Sequence, residues 1–436
     1  MKLTKIALAV AATAMVSTPV LATNGDNLIG LGAQSRALGG TGTAAYFGSE
    51  NALTNPSLLG KGQGTEFAIG GTLFKPDVKA NTNVADPAGG TAYTSQTSDA
   101  DTNIIPEVSL STRLNDNWTF GLGIFGSAGM GTDYRDNGGL TEGSPLSGGQ
   151  DGTGLFNGYS NLQLMKFAPS LAYNNDTWGI GFAPVIQYGA LDINYKQFVD
   201  TDSDGTPDTL FNRGNGMSSD IGYGFNVGGH FDITPDFTIA LAYQSAIDMK
   251  YKDQISDASS GFVNSATDFK TPFDDNLEQP AELKIGAAYN MGNFMFTADA
   301  KQIKWGSANG YKEFNWKDQN VFGIGAKYTR SNYWVGIGYN RGEDPIEKVD
   351  SQTSYKGQVI DMFNNHFFPA VVEQHFTFGG GYNLTKNLAL DGAVVYAPEV
   401  TKEVNTGLIS QRAYNATTHE VTHSQIGYTL SLRMNF

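Results

Sequence analysis

The carboxyl-terminal segment constrains the fold of this chain more than any other part of the sequence. From Ile426 to Phe436 every second residue is apolar, and the residues between them are small or polar. A period of two predicts a β-strand with one apolar and one polar face. Soluble β-sandwiches share this alternation. A strand that alternates up to a terminal Phe, in a chain with a secretory leader and no cysteine, favours a bacterial outer-membrane barrel instead.

Residues 1–22 have the pattern of a signal peptide. Lys2 and Lys5 supply the positive start, residues 6–16 the apolar middle, and residues 20–22 a cleavage site. The apolar stretch is too short to span a bilayer as a helix. Because no other run of about eighteen apolar residues occurs in the sequence, a helical membrane protein is excluded.

The composition narrows the class of protein further. The net charge of −15 argues against a nucleic-acid partner, which requires Lys and Arg for phosphate contacts. The absence of cysteine excludes a disulfide scaffold, thiol catalysis and zinc–thiolate sites. The 54 glycines, 26 phenylalanines and 20 tyrosines are typical of closely packed strands with aromatic girdles at the membrane interfaces.

The connections between the alternating segments predict the number of strands. Six short connections contain Asn, Asp, Gly or Pro, which suit tight hairpins. Seven long connections lie at roughly 79–102, 132–158, 191–220, 253–276, 306–315, 343–372 and 400–420. We therefore predict an all-β, transmembrane antiparallel barrel of about fourteen strands over residues 65–436, with both ends on the short-turn, periplasmic side.

Residues 23–64 lack strand alternation and are rich in glycine. Two interpretations are open: a disordered periplasmic arm, or a hatch that fills the lumen. A barrel of fourteen strands is wide enough to conduct water unless something fills it, so we expect a hatch.

The hatch segment also carries a family resemblance. Arg36, Gly39, Gly40, Gly42 and the Asn55-Pro56 pair resemble the hatch signature of the FadL/TodX (OmpP1) family. Further similar motifs follow in order along the barrel: Tyr243–Ile247, Pro280–Tyr289, Phe314–Asp318, Gly323–Tyr328 and Gly336–Tyr339 with Asp344-Pro345.

The resemblance implies a function as well as a fold. Family members are monomeric outer-membrane transporters of Gram-negative bacteria for long-chain fatty acids and other hydrophobic compounds. The implied path is capture by the outer loops, an apolar pocket against the hatch, and lateral exit into outer-membrane lipid at a kink in the third barrel strand. Residues 188–192 lack the basic residue that fatty-acid members carry nearby, which leaves aromatic or alkane hydrocarbons as an alternative.

The third predicted strand is unusually rich in glycine. Gly126, Gly129 and Gly131 are the candidates for the kink, because glycine within a strand marks bulges and bends. The alternative is that these glycines let the hatch pack closely against the wall.

Candidate ligand-binding residues are harder to place. Phe156, Phe367 and Phe368 lie in long connections where they could receive an apolar ligand, or could only pack the loops. Lys317 could meet a carboxylate, or could be a solvated charge at the rim.

One loop has the pattern of a calcium site. Asp200, Asp202, Asp204 and Asp208 place oxygens at alternate positions around a glycine turn, with Thr206 contributing its carbonyl oxygen. Phe211 stands where an EF-hand has glutamate. A structural Ca²⁺ and a solvated acidic loop both remain possible; no other cofactor is expected.

The sequence gives no catalytic constellation. The spacing of the five histidines matches no zinc motif, and we expect no Ser and His close together on one face, as an outer-membrane phospholipase would require. A general diffusion porin and a soluble secreted β-protein are the remaining alternatives. Deletion of residues 23–64 should leave a porin unaffected but make a plugged barrel leak ions.

Overall fold

The computed structural model describes residues 23–85, 91–135, 157–199, 209–349, 353–409 and 418–436. The predicted signal peptide, Phe156 and the predicted calcium loop lie outside these residues. The described part contains the following β-strands: β1 Thr23–Asn24, β2 Asn27–Leu28, β3 Thr65–Ala85, β4 Thr91–Thr97, β5 Asn103–Arg113, β6 Trp118–Asp133, β7 Tyr159–Asn174, β8 Trp178–Val199, β9 Thr209–Arg213, β10 Ser218–Thr234, β11 Phe237–Gln244, β12 Glu282–Met291, β13 Phe294–Ile303, β14 Gln319–Arg330, β15 Tyr333–Gly342, β16 Gln374–Asn383, β17 Leu388–Asn405 and β18 Thr418–Asn435.

Fourteen of these strands form a closed antiparallel barrel: β3, β5–β8 and β10–β18. Each pairs with its neighbour in sequence, and β18 closes the barrel against β3 from Thr418↔Asn83 to Asn435↔Glu66. The last residue completes the closure, because Phe436 N donates to Thr65 O at 2.8 Å. Fourteen strands and a carboxyl-terminal closing strand are what the alternation predicts.

The outer ends of two barrel strands extend beyond the barrel as hairpins. β4 pairs with β3 from Lys79 to Ala85, and β9 pairs with β8 from Tyr195 to Val199. The predicted loop boundaries at 79–102 and 191–220 were therefore wrong. These extensions are rich in Asn, Thr and Asp, so they lack the apolar alternation that reveals a lipid-facing strand.

The outward face of the barrel is apolar. In β11, Ile239, Leu241 and Tyr243 are exposed, whereas Ala240 and Ala242 between them are buried. A closed barrel pairs its backbone groups without leaving a free edge in lipid. Among the described helices, none is long and apolar enough to cross a membrane.

The described helices lie inside the barrel or in its long connections. They are α1 Gly32–Ala37, α2 Asn51–Thr54, α3 Ile255–Ser260 and α4 Tyr355–Phe367, with 3₁₀ helices at Pro56–Lys61, Trp305–Ser307 and Lys312–Phe314. α4 occupies the predicted long connection 343–372, and Ser354 caps its amino terminus by accepting from Gly357 N at 2.9 Å.

Residues 23–64 lie within the barrel lumen. α1 packs against β15–β18, while the 3₁₀ helix Pro56–Lys61 packs against β6, β7, β8 and β10 on the other side. Nearly all side chains of this segment are buried. The wall begins directly after it, at Thr65.

Candidate ligand-binding and transport site

A buried ion pair holds α1 of the hatch to the wall. The Arg36 Nη2 atom lies 2.6 Å from Glu107 Oε1, and the two side chains are only 2% and 5% exposed. Arg36 also donates to Gly30 O at 3.0 Å and to Thr429 Oγ1 at 3.1 Å. Breaking such a buried pair is strongly destabilising, because the remaining charge stays buried. Arg36 thus ties the hatch to β5 and β18.

The glycine turn after α1 brings hatch backbone against strand backbone. Gly39, Gly40 and Gly42 have positive φ angles of 71°, 73° and 152°. A Cβ at Gly39 would lie 2.5 Å from Tyr339 O, so only glycine fits there. Gly42 N and Thr43 N both donate to one Asp299 oxygen at 2.9 Å.

The Asn55-Pro56 pair caps the 3₁₀ helix. Asn55 Oδ1 accepts from Ser57 N at 3.1 Å and from Ser57 Oγ at 2.7 Å, and Asn55 Nδ2 donates to Thr43 O at 2.7 Å. Pro56 takes the first helical position, where its missing N–H costs nothing. The pair therefore links both halves of the hatch.

The expectation that no Ser and His lie together was wrong. Ser57 Oγ lies 3.0 Å from Nδ1 of His230, on β10. Sequence reasoning missed the pair because 173 residues separate its members. Ser57 is fully buried and donates to Asn55, so its hydroxyl anchors the hatch and has no space for a substrate.

The predicted gate glycines lie where β6 separates from β5 while it stays paired with β7. β5 and β6 pair only as far as Glu107↔Phe125, and a bulge in β6 follows between Gly126 and Ala128. Beyond the bulge β6 contacts the hatch instead: Asn27 bridges Ala128, and Gly129 N donates to Asp26 O at 3.1 Å.

The far end of β6 contacts the segment between β4 and β5. Asp133 N donates to Ser98 Oγ at 2.9 Å, and Asp99 N donates to Asp133 O at 2.8 Å. Residues 126–132 of β6 therefore border β7 without pairing with β5, and we call this break in the pairing the β5–β6 window. A small cluster of buried apolar side chains lies beside it: Leu28, Phe74, Ala100 and Ile105.

The outer half of the lumen holds a large buried apolar cluster, which we call the outer apolar cluster. Its aromatic centre consists of Tyr195, Phe262, Phe273, Phe314, Phe363 and Phe367. Adjacent rings in this set have centroids 4.7 to 6.0 Å apart, within the favourable range for aromatic contacts. The structure thus places the candidate residue Phe367 at the centre of the cluster, and Phe368 belongs to the cluster as well.

Helix α4 connects this cluster to β6 and β7. The carbonyl oxygen of His366 accepts from Thr132 Oγ1 at 2.8 Å, and that of Phe367 accepts from Ser160 Oγ at 2.5 Å. Lys317 lies elsewhere. Its side chain is 52% exposed and 3.7 Å from Glu347, so it is a rim charge and does not face the cluster.

A small polar cavity of about 70 Å³ lies between the hatch and the outer apolar cluster. Leu53 and Val321 line the cavity and also belong to the cluster, so the two are continuous. Three lysines on three strands line the cavity as well: Lys166, Lys284 and Lys301.

Two carboxylates, those of Glu282 and Asp299, line the cavity as well, so the lysines outnumber the acidic side chains three to two. Lys284 pairs with Glu282 at 3.0 Å, but neither Lys166 nor Lys301 forms a hydrogen bond or close ion pair with any described residue. Lys284 and Lys301 are direct cross-strand partners, an arrangement that is unfavourable for like charges. Sequence reasoning missed this cluster, because alternation predicts that each lysine faces inward but not that the three meet.

The predicted calcium ligands Asp200, Asp202, Asp204, Thr206 and Asp208 lie outside the described residues, and the site stays a prediction. Within the described ranges, no group of three or more His, Asp or Glu side chains is arranged to hold a metal ion.

Fold and site together define a plugged β-barrel of the outer-membrane type, whose lumen holds a buried apolar cluster beside a small polar cavity. Residues 9–436 match the family model of outer membrane protein transport proteins (OMPP1/FadL/TodX), and the chain belongs to this family of hydrophobic-compound transporters. It is therefore a protein of the Gram-negative outer membrane and not an enzyme.

Curated relatives match only part of the chain. The long-chain fatty acid transport protein of Escherichia coli O6:H1 is 27% identical over 280 residues, which are 58% of this chain and 57% of that protein. The protein of the same name from Salmonella typhi is 28% identical over 275 residues, with the same coverage. The match thus spans less than three fifths of either relative.

Solved structures match nearly the whole chain. The toluene transporter TodX of Pseudomonas putida has a TM-score of 0.64 and 19% identity, covering 94% of this chain and 99% of TodX. A FadL homologue of Pseudomonas aeruginosa has a TM-score of 0.67 and 14% identity, covering 94% and 100%. At these identities the likeness shows a shared fold.

Proposed function

We propose that this protein takes up long-chain fatty acids or similar hydrophobic compounds with an acidic head group, passively, across the outer membrane. The observation that carries the proposal is the cavity lined by Lys166, Lys284 and Lys301. Burying an ammonium group is costly unless an anion faces it. Glu282 and Asp299 offset two of the three charges, and a ligand carboxylate would supply the third anion, in direct contact with Lys166 and Lys301.

The apolar surroundings suit the rest of such a ligand. An acyl chain gains about 25 cal/mol per Å² when it leaves water, so the buried apolar side chains of the outer apolar cluster favour its entry. The outer apolar cluster would receive the chain, and the cavity of about 70 Å³ would receive only the head group. Because whole ligands occupy sites of roughly 300–1,000 Å³, we expect α4 and its neighbouring loops to move on binding.

The route out of the barrel follows from the hatch. Residues 23–64 occupy the lumen, while the β5–β6 window is the stretch where two wall strands lack backbone pairing and where the β6 residues are buried. We propose that the ligand leaves sideways through this window and enters the outer-membrane lipid. Gly126, Gly129 and Gly131 would then be gate residues, and Arg36, Gly39, Gly40, Gly42, Asn55 and Pro56 would hold the hatch in place.

A hydrocarbon substrate is the second candidate. The aromatic side chains of the outer apolar cluster suit an aromatic or alkane ligand, and two matched structures are named toluene transporters, TodX and TbuX of Ralstonia pickettii. Such a ligand has no charge for the lysines to bind. The two candidates therefore differ in their dependence on the cavity lysines.

Ligand binding to the purified full-length protein tests the proposal. We would titrate oleate and an alkane of equal chain length into wild type and the variants Lys166→Met and Lys301→Met. Loss of one charged contact should weaken oleate binding by about tenfold or more and leave alkane binding unchanged.

Lys317→Met is the matched control, because it removes a lysine that faces solvent. Equal affinities for oleate in wild type and both cavity variants would overturn the acidic-ligand proposal. Tight alkane binding without oleate binding would establish the hydrocarbon candidate instead.

A further inference from the structure

Two buried polar side chains without hydrogen-bond partners lie on the strands that border the β5–β6 window. Ser127, on β6, is 7% exposed, and Asn103, on β5, is 2% exposed. Neither Ser127 Oγ nor either amide atom of Asn103 has a hydrogen-bond partner among the described residues. Other buried polar atoms of the described residues also lack partners; Ser127 and Asn103 differ from them because they lie on the two strands that border one window.

Ser127 owes its position to the bulge. Gly126 pairs with Met165 and Ala128 with Leu164, so Ser127 is the extra residue between two paired positions. A bulge redirects the side chain of its extra residue. Ser127 lines the same cavity as Lys166, and so it joins the lysine cluster to the window.

Asn103 stands on the opposite edge. It is the first residue of β5 and pairs with Phe74 of β3. By strand alternation its side chain and that of Ile105 point to the lumen, while Ile104 between them is 62% exposed toward lipid.

Leu28, Phe74 and Ile105 beside the window are apolar. Asp26 and Asn27 of the hatch also contact β6 there and are polar, but their side chains are hydrogen-bonded to other residues. An acidic head group that leaves the lysines thus meets few polar groups on this route.

We propose that Ser127 and Asn103 form a head-group relay, in which the Ser127 hydroxyl and the Asn103 amide donate to the ligand's carboxyl group as it passes from the lysine cavity into the window. The relay rests on the proposed function and narrows its substrate class to amphiphiles with a hydrogen-bonding head. It lowers the cost of moving a polar head past an apolar edge. A hydrocarbon gains nothing from it.

Uptake kinetics separate the relay from a structural role. We would measure initial uptake rates of oleate and of an alkane of equal length, in cells that carry wild type, Ser127→Ala or Asn103→Leu as their only such transporter. Both variants should lower the maximal rate of oleate uptake by about fivefold or more, with little change in the half-saturating concentration. Alkane uptake should change less than oleate uptake in the same cells.

Two further variants sharpen the comparison. Ser127→Thr keeps the hydroxyl and should restore oleate uptake. Ser170→Ala removes another buried, unpartnered serine hydroxyl that lies on β7 between hatch and wall, outside the cavity lining, and should transport like wild type.

The outcomes distinguish the relay from the proposed function. Equal oleate rates in wild type and Ser127→Ala, or equal losses for oleate and alkane, would overturn the relay. Oleate binding by the purified wild type, measured in parallel, decides the proposed function separately: absence of binding would contradict that function, whatever the uptake rates of the variants.

Discussion

At the residue scale, the hatch contains a carboxyl group that responds to pH. The pKa of Glu50 is raised from its ordinary value of 4.5 to about 8, first by burial and then by the neighbouring Glu66 carboxylate, while Arg433 opposes the shift. Glu107 and Tyr46 are the other ionisable groups nearby. Glu50 Oε2 has no hydrogen-bond partner among the described residues. The docked hatch therefore favours a protonated Glu50.

The sign of the pH effect follows from this raised pKa. A group with a higher pKa in the docked state stabilises docking fully below its ordinary pKa and loses that effect as pH rises through the docked value. We predict that ion leakage through the barrel in a planar bilayer increases as pH rises from about 4.5 towards about 8 and levels off above that value. Glu50→Gln should leak little at every pH, because its amide cannot ionise.

The control for this prediction is an exposed acid. Glu347→Gln changes a carboxyl that is 60% exposed at the rim, and it should retain the wild-type pH profile. A wild-type leak that does not vary with pH would refute the assignment, as would a Glu50→Gln variant with an unchanged slope.

Residue contacts also mark the limit of what the sequence predicts. Alternation alone shows that Lys284 faces inward with the small side of its strand. Its meeting with Lys301 depends on the register of β12 and β13, and its meeting with Lys166 depends on barrel closure. Ser57 and His230 illustrate the same limit, because only the docked hatch brings them together.

At the scale of elements, the two halves of β6 make different contacts. Its first half pairs with β5 and closes the wall, whereas its second half contacts the hatch and α4. Movement of α4 on ligand binding would therefore displace β6, the strand that borders the window. This coupling needs no long-range pathway, because Thr132 joins the two elements directly.

A side chain at Gly126 should obstruct the window. A Cβ at this position would lie 2.7 Å from Ile105 Cγ2 on β5. We predict that Gly126→Val lowers the maximal oleate uptake rate by about fivefold or more, while oleate affinity of the purified protein stays within about twofold.

Gly229→Val provides the comparison. Gly229 lies in β10, and the nearest atom to a Cβ there is Gly179 O, at 3.6 Å, so valine fits without obstruction. Normal oleate uptake by Gly126→Val would argue against exit between β5 and β6. Equal losses in both variants would indicate a general effect of valine on the wall.

Element number was more predictable than element length. Turn residues at short connections mark each periplasmic hairpin, and fourteen strands follow from them. The hairpin extensions formed by β4 and β9 escaped prediction because they stand above the lipid-facing band, where no alternation of apolar residues is required. Helix α4 was not predicted for another reason. It is buried on most of its surface, and its buried residues include the polar Asn364, Asn365 and His366. Asn364 and Asn365 donate hydrogen bonds to Phe314 O and Lys402 O.

At the scale of the whole molecule, the strands form the wall of the barrel, and the hatch and the outer apolar cluster fill its lumen. Fourteen strands enclose a lumen wide enough for water, so retention of ions depends on what occupies it. The hatch contacts opposite walls through α1 and through the 3₁₀ helix Pro56–Lys61. The outer apolar cluster closes the other end. We therefore expect the filled barrel to remain closed to ions.

Removal of the hatch tests whether the hatch keeps the barrel closed to ions. Deletion of residues 23–64 leaves the wall strands intact, because β3 begins at Thr65 and pairs with β18 and β5. We predict large, steady ion conductance for the deletion variant in a planar bilayer and little for the full-length mature protein. Oleate should no longer bind to the deletion variant, because the lysine cavity loses the side that the hatch forms.

A double variant, Arg36→Met with Glu107→Gln, changes the hatch less than the deletion does. It removes both partners of a buried ion pair and so leaves no uncompensated charge. It should conduct less than the deletion variant, since the glycine turn and the Asn55 cap still hold the hatch. Steady conductance by the full-length protein, unchanged on deletion, would instead identify a general diffusion porin. In that case the outer apolar cluster would be a by-product of packing, and the lysines would act as the constriction charges of an aqueous pore.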